Sequence, residues 1–182
     1  MKAISTGLPG VLILEPKVFG DERGFFFESW NARRFAELTG CTEPIVQDNH
    51  SRSARGVLRG LHYQLPPKAQ GKLVRVVAGE ILDVVVDLRR SSATFGRWNS
   101  SVLSAQNKRQ LWVPEGFAHG FVVRSDSADV QYKVTRGYAP EAEACIRWDD
   151  PQLAIDWGLA APPVLSAKDQ AGGSFAQAPA FP

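Results

Sequence analysis

Two histidines, each in a short glycine-bounded segment of β character, are the residues of this chain best suited to chemistry. His62 lies in the segment 59–64 and His119 in the segment 114–120. Imidazoles can bind a metal ion together with carboxylates, or one imidazole can act alone as a general acid or base. If the first segment is a regular strand, alternation places Gln64, and not another histidine, on the face of His62. A metal site needs several converging ligands, so this pattern favours acid–base chemistry.

The second segment has the form P-x-G-x-x-H, which resembles the second motif of cupin barrels. The first segment occupies the strand position where cupins usually carry H-x-H, and here Gln64 replaces the second histidine of that pair. A metal-dependent cupin oxygenase or isomerase is therefore an alternative that Gln64 disfavours. On spacing alone, His62 can also be a structural histidine with satisfied hydrogen bonds.

Arg59 lies three positions before His62 and faces the other way in a flat strand. Both side chains reach one site only if the chain bends or bulges near Gly60, where glycine tolerates the backbone geometry that this requires. We therefore expect a bulge at Gly60 if Arg59 takes part in the site.

Lys72 and Tyr132 are each predicted to share a strand face with valines, and an inward direction would bring both into the barrel. A lysine inside a barrel is costly unless it meets an anion or a developing oxyanion, so its burial would indicate function. Spacing alone leaves two other interpretations open, an exposed lysine at a strand end and a tyrosine that only packs.

Two further stretches combine side chains suited to a planar base and a phosphate. The first mixes aromatic rings with charged groups and contains Phe19, Arg23, Phe25, Phe26, Phe27 and Glu28. The second, 47–52, is too rich in donors and acceptors to be a buried strand without a ligand or a polar network. The three consecutive phenylalanines at 25–27 can equally belong to the core, and the polar stretch can be a solvated loop. Asp169 has no local pattern to recommend it, and spacing alone makes it a surface aspartate.

Short β-branched runs separated by Gly, Pro, Asn or Asp extend from about residue 10 to residue 149, which is typical of an all-β protein. We expect strands at 11–14, 60–64, 72–77, 81–88, 110–113, 121–123 and 130–135, with 81–88 buried on both faces. One short helix is predicted over 31–39, capped by Asn31 and ended by Gly40. Residues 150–182 are rich in Pro, Ala and Asp, so we expect a C-terminal segment packed on the barrel and a single domain over 1–182.

The composition excludes several classes of protein. With 44% hydrophobic and 22% charged residues, the chain can bury one substantial core. Lys and Arg number 21 against 19 Asp and Glu, so the net charge does not support binding to nucleic acid or to an anionic membrane. We find neither an apolar run of roughly 18 residues nor a signal-peptide pattern, and we expect a cytoplasmic protein. Cys41 and Cys145 are accordingly expected to be reduced thiols.

The chain closely resembles the dTDP-4-dehydrorhamnose 3,5-epimerase family over nearly its whole length. The segments that carry the likeness are 19–26, 47–51, 57–64, 71–75, 113–121, 132–135, 148–151 and 165–169. The resemblance implies a cupin-type double-stranded β-helix, or jelly roll, that forms a homodimer and works without a metal or an organic cofactor. Its substrate would be dTDP-4-dehydro-6-deoxy-D-glucose, a nucleotide sugar used in making dTDP-L-rhamnose.

The resemblance also assigns roles to individual residues. His62 would be the base, Asp169 its hydrogen-bond partner, Tyr132 the acid on the opposite face of the sugar, and Lys72 the cation that stabilises the enolate oxygen. The nucleotide and its phosphates would be bound by Arg23, Glu28, Gln47, Asn49 and Arg59, with His119 lining the sugar site and Tyr138 beside the nucleotide. Phe19 and Phe26 are further candidates for substrate binding.

These residue types suit the reaction. The C4 ketone acidifies the protons on C3 and C5, so one base and one acid on opposite faces can invert both centres through enolates. A histidine with an ordinary pKa of about 6.5 can be neutral near pH 7, and a carboxylate supports the imidazolium that forms. A phenol with a pKa of about 10 is a proton donor at that pH.

Two alternatives keep a similar site. A relative could epimerise only C3 or only C5 of a related dTDP-4-keto sugar, because the same base and acid would serve. A non-catalytic cupin that binds a nucleotide sugar would keep the aromatic and arginine segment but could lack His62 or Tyr132, and both are present.

Overall fold

Antiparallel strands dominate the computed structural model, which describes residues 1–182. The thirteen strands are β1 (Lys2–Ser5), β2 (Leu12–Glu15), β3 (Phe19–Asp21), β4 (Gly24–Phe26), β5 (Gln47–Ala54), β6 (Leu58–Gln64), β7 (Lys72–Ala78), β8 (Glu80–Asp87), β9 (Trp98–Ser104), β10 (Gln110–Val113), β11 (Phe117–Val123), β12 (Ser127–Val134) and β13 (Glu143–Cys145). Helical structure is limited to α1 (Ala32–Thr39), α2 (Ala167–Gln170) and two 3₁₀ turns, Pro140–Ala142 and Phe175–Gln177. The prediction of an all-β protein with short helices is confirmed.

Two antiparallel sheets contain most of the strands. Sheet I has the strand order β1-β2-β10-β7-β12-β5, and sheet II has the order β13-β6-β11-β8-β9. Strands that are distant in the chain are neighbours in both sheets, as in a jelly roll. Strands β3 and β4 form a separate hairpin.

Apolar side chains from the inner faces of both sheets form a shared core. Val74 and Val130 of sheet I join Ile81, Val85 and Phe121 of sheet II in one buried cluster. Because successive side chains on a strand point to opposite faces, the residues two positions away from these also face the interior. The functional site makes use of those positions.

Strand β8 is buried on both faces, as predicted for 81–88. Ile81 and Val85 belong to the core between the sheets, whereas Leu82, Val84 and Val86 belong to a second cluster on the outer face of sheet II. The sequence of a strand that packs on both faces is a continuous apolar run, which is why the burial of β8 could be predicted.

The C-terminal segment covers the outer face of sheet II. Trp157, Phe175 and Phe181 join the second cluster, and the hydroxyl of Tyr63 on β6 donates a hydrogen bond to the carbonyl oxygen of Pro179 at 2.8 Å. Isolated parallel bridges, such as the one between Ile146 and Gly173, attach the segment to the barrel. These contacts fix the position of a segment that carries Asp169.

Helix α1 begins and ends where its sequence predicts. The Asn31 side chain accepts a hydrogen bond from the backbone N–H of Arg34, and Gly40 adopts a φ of 72° at the C-terminus. Phe35 is buried and packs edge to face on Trp112, with ring centroids 4.9 Å apart. The helix therefore packs against sheet I.

Several strands were not predicted from the sequence, namely β1, β3, β4, β5, β9 and β13. The polar stretch 47–52 lies in β5, which pairs with β12 along its whole length, so the solvated-loop interpretation is wrong. Burial alternates along β5, with Gln47, Asn49 and Ser51 half-buried and the residues between them exposed. The alternation is present, but its inward positions are polar, so the usual apolar signal of a strand is missing.

Cys41 and Cys145 are both free thiols, as predicted. No helix in the structure has the length and apolar character needed to cross a membrane.

Candidate active site

A polar cavity of about 250 Å³ lies between the two sheets. It is lined by Ser51, Arg59, His62, Lys72, His119, Phe121, Val130, Tyr132, Ser166, Lys168 and Asp169. All four residues expected to be catalytic are in this set, together with Arg59 and His119. Positions far apart in the chain converge because both sheets and the C-terminal segment contribute to the walls.

His62 and His119 enter the cavity from neighbouring strands of sheet II. They are direct partners in the register of β6 and β11. The side chains of directly paired residues point to the same face, with Cβ atoms about 5 Å apart. The two glycine-bounded segments therefore supply one wall together.

A bulge at Gly60 brings Arg59 to the same cavity as His62. His62 pairs with His119 and Arg59 pairs with Phe121, so β6 contains one residue more than β11 over this interval. Gly60 has a φ of 131°, and a Cβ atom there would lie 2.5 Å from the Cα atom of Gly120. A larger residue would meet both backbone strain and a clash, so the bend that Arg59 requires depends on glycine.

Asp169 reaches His62 from helix α2. The Ser166 hydroxyl accepts a hydrogen bond from the Asp169 backbone N–H and donates one to Oδ2 of the same residue at 2.5 Å. The backbone N–H of Gly60 donates to Oδ1 at 3.0 Å. Asp169 is only 3% exposed, and its Oδ1 lies 2.8 Å from Nε2 of His62. The surface position that its local sequence suggests is wrong, because tertiary packing and not local pattern places this carboxylate.

The surroundings of Asp169 favour its ionised form. Burial opposes ionisation, but His62, the Ser166 hydroxyl and the Gly60 N–H outweigh it and hold the pKa of Asp169 well below its usual range. Nε2 of His62 is buried and lies within hydrogen-bonding distance of the carboxylate, although the ring N–H is not aligned with it. Such bonds often tighten only when a substrate is present.

Lys72 and Tyr132 come from the other sheet. The ammonium of Lys72 donates a hydrogen bond to the backbone carbonyl of His62 at 3.4 Å. Burial lowers the pKa of Lys72 to about 8, against the attraction of Glu143 and Asp83. Burial also raises the pKa of Tyr132, which keeps this phenol protonated near neutral pH. Sheet II thus contributes imidazoles to the cavity, and sheet I contributes an ammonium and a phenol.

His119 contacts a buried carboxylate that was not among the predicted site residues. Its Nε2 lies 2.9 Å from each oxygen of Asp83, which has no exposed surface. Burial raises the pKa of Asp83, while His119 and Lys72 counteract that effect. Alternation along β8 could have found this residue, because Asp83 stands between Ile81 and Val85 on the inward face.

Glu143 and Lys168 were also missed, and they form an ion pair beside the cavity. Glu143 lies on β13, Lys168 precedes Asp169 on α2, and the hydroxyl of Tyr138 donates to Glu143 at 2.8 Å. Burial disfavours the charge on Glu143, but Lys168 and Tyr138 outweigh this and keep the pKa of Glu143 below its usual value. No local pattern marks either residue, and only the fold brings them together.

Gln64 is occupied by structural hydrogen bonds. Its Nε2 donates to the carbonyl oxygens of Lys68 at 2.6 Å and Gly137 at 3.3 Å, and its Oε1 accepts from the N–H of Ala139 at 3.0 Å. Both amide hydrogens and the carbonyl are thereby used. The residue that replaces a cupin histidine therefore fastens the end of β6 to the loop after β12.

Gln47, Asn49 and Tyr138 form a polar patch that does not belong to the cavity lining. Gln47 donates to Asn49 at 2.7 Å and accepts a hydrogen bond from the backbone N–H of Tyr138 at 3.2 Å. The Tyr138 side chain is exposed, with Lys168 Nζ 5.6 Å from the centre of its ring. This patch continues the inward polar row of β5 beyond Ser51.

The aromatic residues near the N-terminus do not line the cavity of their own chain. Phe19, Arg23 and Phe26 surround a separate hollow on the β3–β4 hairpin. Phe25 is 64% and Phe26 71% exposed, so the interpretation of the consecutive phenylalanines as core residues is wrong for these two, whereas Phe27 is half-buried. Glu28 follows the hairpin and accepts a hydrogen bond from Asn31 at 3.1 Å.

Comparison with known proteins supplies the family. The model of the dTDP-4-dehydrorhamnose 3,5-epimerase family matches residues 5–177. The chain belongs to this family. The dTDP-4-dehydrorhamnose 3,5-epimerase of Pseudomonas aeruginosa is 60% identical over 182 residues, which cover 100% of both chains.

Solved structures of dTDP-sugar epimerases show the same fold. The dTDP-6-deoxy-D-glucose-3,5-epimerase of Legionella pneumophila, in complex with dTDP-4-keto-L-rhamnose, is 55% identical with a TM-score of 0.93, covering 97% of this chain and 93% of that one. A 3′-monoepimerase of Streptomyces bikiniensis, in complex with dTDP-quinovose, is 34% identical with a TM-score of 0.90, covering 97% of this chain and 88% of that one. The expected cupin-type fold is confirmed by these relatives of the epimerase family.

Proposed function

We propose that this protein converts dTDP-4-dehydro-6-deoxy-D-glucose into dTDP-4-dehydro-L-rhamnose by epimerising C3 and C5, as a step in making dTDP-L-rhamnose. The observation that carries the proposal is one cavity in which His62 and its partner Asp169 come from sheet II and helix α2, whereas Lys72 and Tyr132 come from sheet I. A base and an acid that approach a sugar ring from different sides are what an inversion at carbon requires.

The first half of the reaction is a proton abstraction. The C4 ketone acidifies the neighbouring C–H bonds, and neutral His62 takes the proton while the electron pair moves to the ketone oxygen as an enolate. Asp169 stands at Nε2, so Nδ1 is the nitrogen left for the substrate, and the anionic carboxylate stabilises the imidazolium that results. The ammonium of Lys72 stabilises the enolate oxygen in a cavity where water screens little.

The second half is reprotonation from the opposite face. Tyr132 donates its phenolic proton to the carbon, the enolate returns to the ketone, and the carbon is inverted. The phenolate left behind is close to the positive charge of Arg59, which lowers the pKa of Tyr132 against the effect of burial. Proton exchange with solvent then resets His62 and Tyr132, and a second round at the other carbon completes the conversion.

The nucleotide end of the substrate extends from the cavity past Arg59. Arg59 suits a phosphate, because a guanidinium offers several donors in a plane. Gln47, Asn49 and Tyr138 continue from there as a polar and aromatic surface suited to a base and its sugar. His119, held by Asp83, borders the sugar.

A homodimer would bring the hairpin residues to a cavity. Phe27 lies against Arg75, with the guanidinium carbon 5.7 Å from its ring centre, and Arg75 points away from the core-facing side of β7. The hairpin is thereby on the other side of sheet I from its own cavity. We assign Phe19, Arg23, Phe26 and Glu28 to the nucleotide site of a second copy of this chain.

A relative that epimerises one carbon is the second candidate, because the monoepimerase from Streptomyces bikiniensis shares the fold. Identity favours the double epimerisation, since the 3,5-epimerases reach 60% and the monoepimerase 34%. Incubation with dTDP-4-dehydro-6-deoxy-D-glucose in deuterium oxide separates the two. We expect deuterium at both C3 and C5 and none with a His62→Ala variant. Label at one carbon alone would assign the protein to the monoepimerases, and no label in the parent protein would refute both.

Three expectations from the sequence stay predictions: the single domain over 1–182, the cytoplasmic location and the reaction without a cofactor.

A further inference from the structure

Three side chains that can bind transition metals stand at directly paired positions on neighbouring strands of sheet II. His62 pairs directly with Cys145 of β13 on one side and with His119 of β11 on the other. Directly paired residues point to the same face with Cβ atoms about 5 Å apart, so a thiol and two imidazoles form a row on one face of sheet II, and the two imidazoles line the cavity. The mechanism above gives Cys145 no role.

The carboxylate of Asp169 completes a cluster around these paired positions. One ligand atom each from His62, Cys145 and Asp169 lie within 4.8 Å of one another. The Nε2 atom of His62 is buried, 2.8 Å from Asp169, and has no aligned hydrogen bond. A ring nitrogen that is withdrawn from water and poorly satisfied by its neighbour is available to another partner.

We propose that His62, Cys145 and Asp169 bind a divalent transition-metal ion of the Zn²⁺ type, and that this ion inhibits the enzyme. Thiolate, imidazole and carboxylate are the ligands that Zn²⁺ takes in proteins, at about 2.0–2.3 Å, with a water in the fourth position. At these bond lengths the ligand atoms of a tetrahedral site stand about 3.3 to 3.6 Å apart. His62 Nε2 and Asp169 Oδ1, now 2.8 Å apart, would separate by roughly half an ångström, and the Cys145 sulfur, which lies within 4.8 Å of both, would move closer by at most about 1.2 Å.

Binding of the metal ion abolishes the function of His62 as a base, although the ion lies on the Nε2 side of the ring and not on the Nδ1 side that faces the sugar. The thiol releases its proton to solvent, its sulfur binds the ion, and Nε2 of His62 becomes a ligand. The neutral imidazole must then carry its proton on Nδ1. The lone pair of Nδ1 is then no longer free to accept the substrate's proton. The negative charge of Asp169 is neutralised by the metal ion and cannot stabilise an imidazolium. Inhibition therefore requires no contact between metal and substrate.

Cobalt(II) provides a direct test, because a cobalt–thiolate bond gives a charge-transfer band in the near ultraviolet and needs no turnover. The whole protein and its Cys41→Ser variant should both show the band on titration with Co²⁺. Cys145→Ser and His62→Ala should bind at least about tenfold more weakly, and Cys145→Ser should lack the band. Cys41 is the matched control because it is the other free thiol and lies outside the cluster.

Turnover gives the second readout. Zn²⁺ should abolish activity of the parent protein and of Cys41→Ser, and a chelator should restore it. Cys145→Ser should keep its basal turnover and need at least about tenfold more Zn²⁺ for the same inhibition. Equal inhibition or an equal cobalt band in Cys145→Ser would overturn the proposal, as would the absence of both effects in the parent protein. Since the band is independent of the reaction, these outcomes are separate from a failure of the proposed function.

Discussion

His62 and His119 are paired across β6 and β11, yet each imidazole faces a different buried carboxylate, Asp169 for the first and Asp83 for the second. Two neighbouring histidine–carboxylate pairs thus serve one cavity. They differ in what surrounds them, because Asp169 arrives from the C-terminal segment and Asp83 belongs to a strand of the core. We expect the two histidines to respond differently to substitution.

Replacing His62 with alanine should lower kcat by at least about 10²–10⁴-fold, since this is the usual contribution of a positioned base. The variant should stay folded, because the residue is a quarter exposed and lines a cavity. Steady-state kinetics and thermal unfolding measure the two effects. His50→Ala is the matched control, since His50 is half exposed on β5 and outside the cavity. Turnover of His62→Ala near that of His50→Ala would exclude the base.

Asp169→Asn should reduce kcat while leaving the nucleotide affinity unchanged, because the amide cannot stabilise the imidazolium. The pKa of Asp169 is depressed in the folded protein, so its ionised form stabilises the fold above the unfolded pKa of about 4 and loses that effect as the pH falls. The difference in unfolding free energy between parent and variant should therefore be constant above about pH 5 and shrink below it. Chemical denaturation across this range measures it. A difference independent of pH would contradict the assignment.

Tyr132→Phe should separate proton abstraction from reprotonation. The variant should still exchange substrate protons with deuterium oxide, because His62 and Lys72 are intact, but it should form little epimer. Tyr138→Phe provides the contrast, as its hydroxyl contacts Glu143 outside the cavity lining and its loss should act mainly on KM. A Tyr132→Phe variant that is defective chiefly in substrate binding would refute the role of Tyr132 as the acid.

Loss of the positive charge on Lys72 should lower kcat at alkaline pH. Burial lowers the pKa of Lys72 to about 8, so kcat should fall as the pH rises through about 8 and the ammonium is lost. The Lys72→Arg variant should keep its positive charge, so its kcat should not fall near pH 8. Its maximum kcat should be lower than that of the parent, because a guanidinium fits the lysine position less well. Lys72→Met should be slow at every pH. A parent pH profile that Lys72→Arg leaves unchanged would remove Lys72 from the mechanism.

The hairpin should complete the site of a partner copy. An Arg23→Ala, Phe26→Ala double variant and the His62→Ala variant should each be poorly active alone, but coexpression should restore activity. In a mixed dimer, the chain with intact His62 receives the intact hairpin of the other, which gives one complete site. If each hairpin served its own chain, both sites of the mixed dimer would be defective and coexpression would restore nothing. Sedimentation analysis of the purified mixture verifies that mixed dimers form.

The sequence predicts those parts of the fold whose signals are local. Helix α1 carries its caps at Asn31 and Gly40, and β8 carries an apolar run that fits burial on both faces. Strand β5 could not be predicted from the sequence, because its inward side chains are polar. They are polar because they face the cavity.

The site divides in the same way. His62, Lys72 and Tyr132 stand on strands whose alternation indicates their direction, and the bulge at Gly60 follows from the need to bring Arg59 round. Asp83 could have been found by the same alternation. Asp169, Glu143 and Lys168 could not be placed by pattern, because a loop-rich segment acquires its direction only from the surface on which it packs.

Of the residues that line the cavity, Ser166, Lys168 and Asp169 come last in chain order, whereas all the others lie at or before residue 132. A ribosome therefore builds almost the whole cavity before it makes the residue that would activate the base. A chain cut by a protease before residue 169 would lose the carboxylate at His62 together with Phe175 and Phe181, which cover the outer face of sheet II. Chains that stop before residue 169 would accordingly be inactive, because they lack both the carboxylate at His62 and part of the apolar cover of sheet II.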